Sequence, residues 1–154
     1  MHVRLAAEGD TDALLFLAEM QVTETLAHLP FDRALAAQTL RRILCGDGEI
    51  LWVAENAGQI VGFLWATLNG YSFCTGVFIS QEVIYVRPDK RGTRAAVQLL
   101  REYISWGRIV GATEILFGIS NGKHPERAAK LFAHLGAEKV GYHFRIIRGL
   151  GRDG

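Results

Sequence analysis

The sequence has few of the residues that crosslink a chain and carries almost no net charge. Among 154 residues there are two cysteines, and the formal net charge is +1. Cys45 and Cys74 exclude a disulfide-rich scaffold and, lacking partners at ligand spacing, a cysteine-rich zinc module. We interpret both as buried thiols. The near-neutral charge excludes a nucleic-acid binder that depends on overall basicity and a disordered acidic chain, but it leaves room for a local anion site.

Long apolar segments are also scarce. The N-terminus lacks the apolar core of a signal peptide, so we expect a cytoplasmic protein. Residues 60–81 carry no charge and are numerous enough to span a bilayer, but Asn69–Gly70 in their middle is a turn dipeptide. A turn in lipid would leave backbone groups without partners. We therefore predict two buried strands joined near this turn, and no membrane segment.

The remaining pattern predicts one mixed α/β domain. Strand-like runs occur at 3–6, 50–55, 60–66, 77–86, 114–119 and 139–147. Helical patterns occur at 13–20, between Asp32 and Gly46, at 96–110 and at 125–135. The order is β-α-α-β-β-β-α-β-α-β, which predicts a mixed-direction sheet. We assign residues 1–148 to this domain and 149–154 to a flexible tail.

The segment Val86–Ala96 is the most informative part of the chain. It contains the end of a buried strand, a short basic turn and the start of a helix, where backbone N–H groups and the helix dipole favour anions. The basic residues of this turn are Arg87, Lys90, Arg91 and Arg94. Its small residues, which let a phosphate approach the backbone, are Gly92, Ala95 and Ala96. The alternative is a solvated basic turn at the start of an ordinary helix.

This segment resembles the hallmark of the GNAT superfamily of N-acetyltransferases. The hallmark is Arg or Gln, two residues, Gly, one residue, then Gly or Ala; the matching positions are Arg91, Arg94 and Ala96. Residues 85–92 resemble the usual lead-in, and residues 129–137 resemble the signature of the family's last helix. The resemblance covers nearly the whole chain. It implies an α/β (α+β) acyl-CoA N-acyltransferase fold, with a mixed, mostly antiparallel sheet flanked by about four helices.

The resemblance also implies an activity. Backbone amides of the turn would hold the pyrophosphate of acetyl-CoA, and the end of the preceding strand would pair with its pantetheine arm. An amine acceptor, either a small molecule or a peptide, would attack the thioester directly in a ternary complex, with no metal. The residues implied to bind the coenzyme are Ile84, Tyr85, Val86, Arg91, Gly92, Thr93, Arg94, Ala95, Ala96, Asn121 and Phe132.

Two positions depart from the family pattern. Arg94 stands where the hallmark has its central glycine, and we hypothesise that it binds a phosphate instead. Phe132 stands where many members have a tyrosine that protonates the leaving thiolate. Water could supply that proton. The candidate substitutes among the tyrosines are Tyr85, Tyr103 and Tyr142.

Several candidate residues keep two interpretations. By resemblance, Glu82 is a general base, but it is also a plausible solvent-facing or arginine-paired strand residue. Asn121 and Lys123 either contact the coenzyme or belong to a simple turn. His28 and Glu24 lie where the family builds its acceptor pocket, but for each of them we favour the interpretation as an ordinary surface residue.

Two other functions compete with the acetyltransferase. The departures at Phe132 and Arg94 favour a coenzyme-binding protein of the same fold with little or no catalysis and a regulatory or structural role. A third possibility is a structural subunit, such as a homodimer that buries the loop around Tyr71 and Phe73. We expect neither nucleic acid nor a membrane as a partner.

Overall fold

The computed structural model describes residues 1–119 and 122–148. These residues form five strands and four α-helices. In chain order they are β1 (His2–Leu5), α1 (Thr11–Thr25), α2 (Arg33–Cys45), β2 (Glu49–Asn56), β3 (Gln59–Gly70), β4 (Val77–Val86), α3 (Ala95–Ile109), β5 (Glu114–Leu116) and α4 (Pro125–His134). The predicted element order is confirmed as far as α4.

The strands form one mixed sheet in the order β1-β2-β3-β4-β5. The first three pairings are antiparallel, and β4 pairs with β5 in parallel because α3 carries the chain back across the sheet. The β2–β3 hairpin closes through Ala57 and Gly58, both at positive φ, as a two-residue turn requires. The predicted mixed, mostly antiparallel sheet is therefore confirmed.

Apolar side chains cover both faces of the sheet. On one face α1 and α2 pack on the strands, with Leu14, Leu17, Val53 and Phe63 in the core. On the other face α3 packs on Leu64 and Ile79 through Leu99, Leu100 and Tyr103. Because the central strands are covered on both faces, they are apolar along most of their length. This explains the uncharged run 60–81 as two strands of one sheet, as predicted.

Single residues determine where α2 begins and how closely α3 packs on the sheet. The Asp32 carboxylate accepts a hydrogen bond from the Leu35 N–H at 2.9 Å, so this residue caps α2 as predicted. Gly107 lets α3 approach the sheet, since a Cβ there would lie 2.7 Å from Ile115 and 2.8 Å from Ile79. The C-terminal part of α3 therefore packs closely on β4 and β5.

Two sequence predictions are wrong. Residues 139–147 form no strand, because the chain after α4 has no neighbouring strand to pair with among the described residues. Both cysteines are exposed: Cys45 is the last residue of α2, and Cys74 lies in the loop between β3 and β4. Free cysteine usually lies in the core, but a helix end and a loop place these two side chains at the surface. The predicted tail at 149–154 lies outside the described residues.

Candidate functional site

β4 and β5 pair along only part of their length. Phe78, Ile79 and Ser80 pair with Glu114–Leu116, and beyond them β4 continues to Val86 with no strand on that side among the described residues. Two side chains bridge the point of separation. The Gln81 amide donates to the Gly118 carbonyl at 3.1 Å, and the Tyr103 hydroxyl donates to the Leu116 carbonyl at 2.7 Å. The result is an open cleft with one edge of β4 exposed along it.

Alternation along β4 decides which residues present their backbone to this cleft. The Arg87 N–H bonds to the Val61 carbonyl on β3, and the Tyr85 carbonyl lies against Gly62 of the same strand. Since hydrogen-bonding direction alternates along a strand, Ile84 and Val86 turn their backbone groups to the open side. The cleft can therefore hydrogen-bond an extended, amide-bearing chain through two β4 residues.

The turn after β4 leads directly into the start of α3. Gly92 adopts φ +85°, a left-handed conformation that favours glycine, and no atom lies within 4 Å of the place where its Cβ would be. The first helical hydrogen bond runs from the Gln98 N–H to the Arg94 carbonyl. The amides of Ala96 and Val97 therefore have no helical acceptor, and they remain available as donors for an anion.

The Arg91 side chain anchors the turn and is fully occupied in doing so. Both terminal nitrogens donate to the Glu24 carboxylate at 2.6 Å, and Nε donates to the Val86 carbonyl at 3.0 Å. The guanidinium also lies 5.5 Å from the centre of the Tyr85 ring, and the Tyr85 hydroxyl donates to Glu24 at 2.9 Å. Hydrogen bonding from Arg91 lowers the pKa of Glu24. The first hallmark residue thus ties α1 to the turn.

Only half of the basic side chains in the turn remain available for an anion. Arg87 pairs with Asp89 at 3.1 Å, and Arg91 pairs with Glu24. Within the described part of the chain, the ammonium of Lys90 and the guanidinium of Arg94 make no ion pair. The local positive charge predicted from the sequence is therefore carried by these two side chains and by the helix dipole.

Glu82 is the extra residue of a β-bulge. The β3–β4 register shifts between Trp65, which opposes Val83, and Ala66, which opposes Gln81. Glu82 is exposed, and its carboxylate accepts a hydrogen bond from the Thr67 hydroxyl at 2.8 Å. A bulge re-aims a side chain and is common beside active sites. The carboxylate is therefore in contact with solvent near the point where β4 and β5 separate, and no arginine of the described residues pairs with it.

An aromatic cluster joins α3, the residue after β5 and α4. The Phe132 ring lies 5.3 Å from that of Phe117, which lies 5.4 Å from that of Tyr103. Burial, followed by the charge of Glu82, raises the pKa of Tyr103. Burial and the hydrogen bond to Glu24 raise the pKa of Tyr85 to about 12. Both candidate phenols are thus poor acids at neutral pH.

The other sequence candidates fall in different places. Asn121 lies outside the described residues, Lys123 precedes α4, and His28 is half-buried in the connection between α1 and α2. Tyr142 is exposed beyond α4. Sequence reasoning missed Gln81 and Thr67 altogether and did not pair Glu24 with Arg91, since no local pattern links residues that far apart.

A second depression, of about 510 Å³, lies beside the turn between α1 and the end of β4. It is lined by Phe16, Glu19, Met20, Thr23, Glu24, Tyr85 and Pro88. A larger one of about 560 Å³ surrounds Arg4, whose guanidinium already bonds Asp10 and Glu55. The smaller depression borders the turn after β4 through Glu24, which bonds to Arg91, whereas the charged groups of the larger one bond to each other.

The described residues contain no cluster of His, Cys, Asp or Glu side chains that could hold a metal ion. No α-helix in the described part of the chain has the length and apolar character needed to cross a membrane. The candidate site is therefore built from backbone amides, two free basic side chains and one exposed carboxylate.

Solved structures share this architecture at low sequence identity. A transcriptional regulator from Bacillus halodurans is 19% identical with a TM-score of 0.80, covering 95% of this chain and 98% of its own. A ribosomal-protein-alanine N-acetyltransferase from Brucella melitensis is 18% identical with a TM-score of 0.74, covering 96% and 99%. AAC(6')-Iy, in complex with the bisubstrate analogue CoA-S-monomethyl-acetylneamine, is 21% identical with a TM-score of 0.72, covering 94% and 98%.

A search of curated protein sequences finds no match. The domain family described as "Acetyltransferase (GNAT) domain" matches residues 47–136, which include β2 to α4 and the entire cleft. That match spans more than half of the chain and contains the strand, turn and helix start that form the site. The chain therefore belongs to the GNAT acetyltransferase domain family.

Proposed function

We propose that this protein transfers the acetyl group of acetyl-CoA to an amine acceptor by direct attack within a ternary complex. The observation that carries the proposal is the open edge of β4, which ends at the free amides of Ala96 and Val97. An extended pantetheine arm fits an unpaired strand edge, and a pyrophosphate fits a helix N-terminus. Lys90 and Arg94 supply the matching positive charge.

The residues around the bulge provide the remaining chemistry. Acetyl-CoA supplies the acetyl group as a thioester. Glu82, held by Thr67, accepts a proton from the attacking amine, either directly or through one water. A backbone N–H on the open edge of β4, at Ile84 or Val86, donates to the carbonyl oxygen as that atom gains negative charge. Both groups are held by the sheet, so little reorganisation is needed during the reaction.

Protonation of the leaving thiolate does not require a phenol. A tyrosine with a pKa of about 12 cannot favourably protonate a thiolate, whose conjugate acid is a stronger acid, with a pKa of about 8.5 in cysteine. Phe132 has no proton to give. We therefore propose that the thiolate leaves unprotonated and takes its proton from water at the mouth of the cleft.

The absence of a hydroxyl at Phe132 supports one rival function. A coenzyme-binding protein with weak or no turnover would need the turn and the open strand edge, but it would need neither Glu82 nor a proton donor. Binding and turnover must therefore be measured separately.

Calorimetric titration with acetyl-CoA tests the coenzyme site. We expect saturable binding to the wild-type chain and an approximately tenfold weaker dissociation constant for Arg94→Ala, because one charge-assisted contact to phosphate is lost. Arg101→Ala removes another exposed arginine, further along α3, and serves as the control. Unchanged affinity in Arg94→Ala would remove its assigned role, and no binding to the wild type would reject the coenzyme site itself.

Release of free thiol from acetyl-CoA, measured across a panel of small amines and peptide N-termini, tests the enzyme. Amine-dependent release confirmed by an acetylated product in mass spectrometry would support transfer. Tight coenzyme binding without amine-dependent release across the panel would favour the binding protein instead.

A further inference from the structure

Two polar side chains near the end of β3 connect to Glu82 through successive hydrogen bonds. Thr67 and Asn69 are two residues apart on this strand, so their side chains leave the same face of the sheet. The Asn69 side-chain nitrogen donates to the Thr67 hydroxyl oxygen at 3.0 Å, and that hydroxyl donates to Oε1 of Glu82 at 2.8 Å. We call these three side chains the Asn69–Thr67–Glu82 network.

The backbone of β3 sets the direction of the hydrogen bonds in this network. The Asn69 side-chain nitrogen also donates to the Thr67 backbone carbonyl at 3.3 Å. Because a carbonyl can only accept, the amino group of the Asn69 amide, and not its oxygen, must point toward Thr67. The Thr67 hydroxyl has one proton and already accepts a hydrogen bond from Asn69. Its proton is therefore left for the Glu82 carboxylate, which when ionised only accepts.

Burial decreases from β3 to the bulge. Asn69 and Thr67 are half-buried, whereas Glu82 is exposed. A hydrogen bond that is partly shielded from water is electrostatically stronger, and successive hydrogen bonds polarise one another. The two half-buried side chains can therefore restrain a carboxylate that would otherwise rotate freely in solvent. They hold it by Oε1, while Oε2 accepts no hydrogen bond from the described residues.

We propose that Asn69 is a positioning residue for acetyl transfer, acting through Thr67 to present Oε2 of Glu82 to the attacking amine. This inference rests on the proposed function, in which Glu82 is the base. As the nitrogen lone pair forms its bond to the acetyl carbon, the N–H bond breaks and the proton passes to Oε2, directly or through one water. Neither Asn69 nor Thr67 exchanges a proton with the substrate.

The alternative is that Asn69 only stabilises the end of β3. That role predicts that its removal lowers the free energy of unfolding and leaves the turnover number unchanged. A positioning role predicts the reverse: the turnover number falls, while the dissociation constant and the KM for acetyl-CoA stay the same. Urea unfolding and calorimetry of each variant, measured beside turnover, distinguish the two.

Steady-state thiol release from three variants and a control tests the network. Thr67→Val removes the hydroxyl at nearly constant volume and should lower the turnover number about tenfold, whereas Thr67→Ser keeps the hydroxyl and should stay within about threefold of the wild type. Asn69→Ala should lower turnover about fivefold, because the Thr67 hydroxyl remains but its direction is no longer set. Ser80→Ala removes a hydroxyl from the β4 residue opposite Thr67 and should leave turnover unchanged.

A double-mutant cycle separates an effect through Glu82 from a general effect on the sheet. In the Glu82→Gln background, adding Thr67→Val or Asn69→Ala should lower turnover no further, because the base that they position is already gone. Losses that multiply in the double variants would overturn the proposal. So would an equal loss in Ser80→Ala, or a Thr67→Ser protein as slow as Thr67→Val.

The same measurements distinguish failure of this inference from failure of the proposed function. If the wild type binds acetyl-CoA but transfers nothing to any amine, the proposed function is rejected, and the positioning role is rejected with it. If the wild type is active and Thr67→Val and Asn69→Ala match its turnover number, only the positioning role is rejected.

Discussion

At the scale of single residues, the bulge at Glu82 combines an exposed carboxylate with a rigid support. The extra residue in β4 separates Gln81, which bridges to Gly118, from Val83, which packs toward α1 and α2. Glu82 is therefore held by the backbone on both sides and by the Thr67 hydroxyl. An exposed carboxylate held this firmly can accept a proton without first rearranging.

We predict that Glu82→Gln lowers the turnover number at least about 100-fold, the usual contribution of a positioned base, and flattens the acid side of the pH–rate profile. Coenzyme affinity should stay the same, because the carboxylate does not face the turn. The measurement is steady-state thiol release from pH 5 to 9, with Glu102→Gln, an exposed glutamate on α3, as the control. An unaltered rate would exclude Glu82 as the base.

At the scale of elements, the close approach of β3 to the end of β4 shapes the open edge. A Cβ on Gly62 would lie 2.7 Å from the Tyr85 carbonyl oxygen and 3.0 Å from a methyl carbon of Val86. The first of these atoms belongs to the backbone and cannot swing away. A side chain at this position must therefore displace the part of β4 that borders the cleft.

We predict that Gly62→Ala destabilises the fold by about 1–3 kcal/mol, the usual effect of overpacking, and weakens acetyl-CoA binding. Gly70→Ala is the matched control, because Gly70 ends the same strand and has no atom within 4 Å of its Cβ position. Urea unfolding and calorimetry measure the two effects. Equal stability and affinity in the two variants would show that β4 has room to shift.

The Glu24–Arg91 pair joins two elements that are distant in sequence. Because Arg91 lowers the pKa of Glu24 in the folded chain, the pair stabilises the fold fully above the ordinary glutamate pKa of about 4.3. This contribution is lost as the pH falls through the lowered folded value. The two side chains are 32% and 30% exposed, so solvent screening keeps the contribution of the pair modest.

We predict that Glu24→Gln lowers the free energy of unfolding by about 1 kcal/mol at pH 7 and that this difference disappears well below pH 4. Glu19→Gln, an exposed glutamate on the same helix, should change little at either pH. Urea titrations at the two pH values measure the difference. If the free energy of unfolding of Glu24→Gln is still lower than that of the wild type in acid, the pair does not act through the charge of Glu24.

At the scale of the whole molecule, the apolar cores on the two faces of the sheet both position the residues of the site. α3 and its core fix the helix start, while α1 and its core hold Glu24 against the turn. A ligand that binds at their junction should therefore stabilise the entire domain by mass action.

We predict that coenzyme A at 100 times its dissociation constant raises the stability of the fold by about 2.7 kcal/mol, which corresponds to a rise in Tm of about 5–10 °C for a domain of this size. Differential scanning fluorimetry measures the shift. At the same coenzyme concentration, Arg94→Ala should show a smaller shift and Arg101→Ala the wild-type shift. No shift at saturating coenzyme would contradict the proposed site.

The sequence by itself determined the order of the elements as far as α4, and it determined the family. Helix caps such as Asp32, the uncharged strands and the basic turn before α3 are local patterns, and local backbone chemistry is enough to interpret them. The sequence could not determine the pairing of Glu24 with Arg91, the hydrogen bond from Gln81 to Gly118 or the exposure of the cysteines. These depend on which distant segments meet.

Tertiary structure alone decided which charges of the turn are free and which strand pattern finds a partner. Arg87 and Arg91 are neutralised by carboxylates, which leaves Lys90 and Arg94 for an anion. Residues 139–147 have the alternation of a strand but no neighbour within the described fold. Alternation specifies a face to be buried, whereas a strand forms only when another edge supplies the hydrogen bonds, and a sequence does not state where that edge lies.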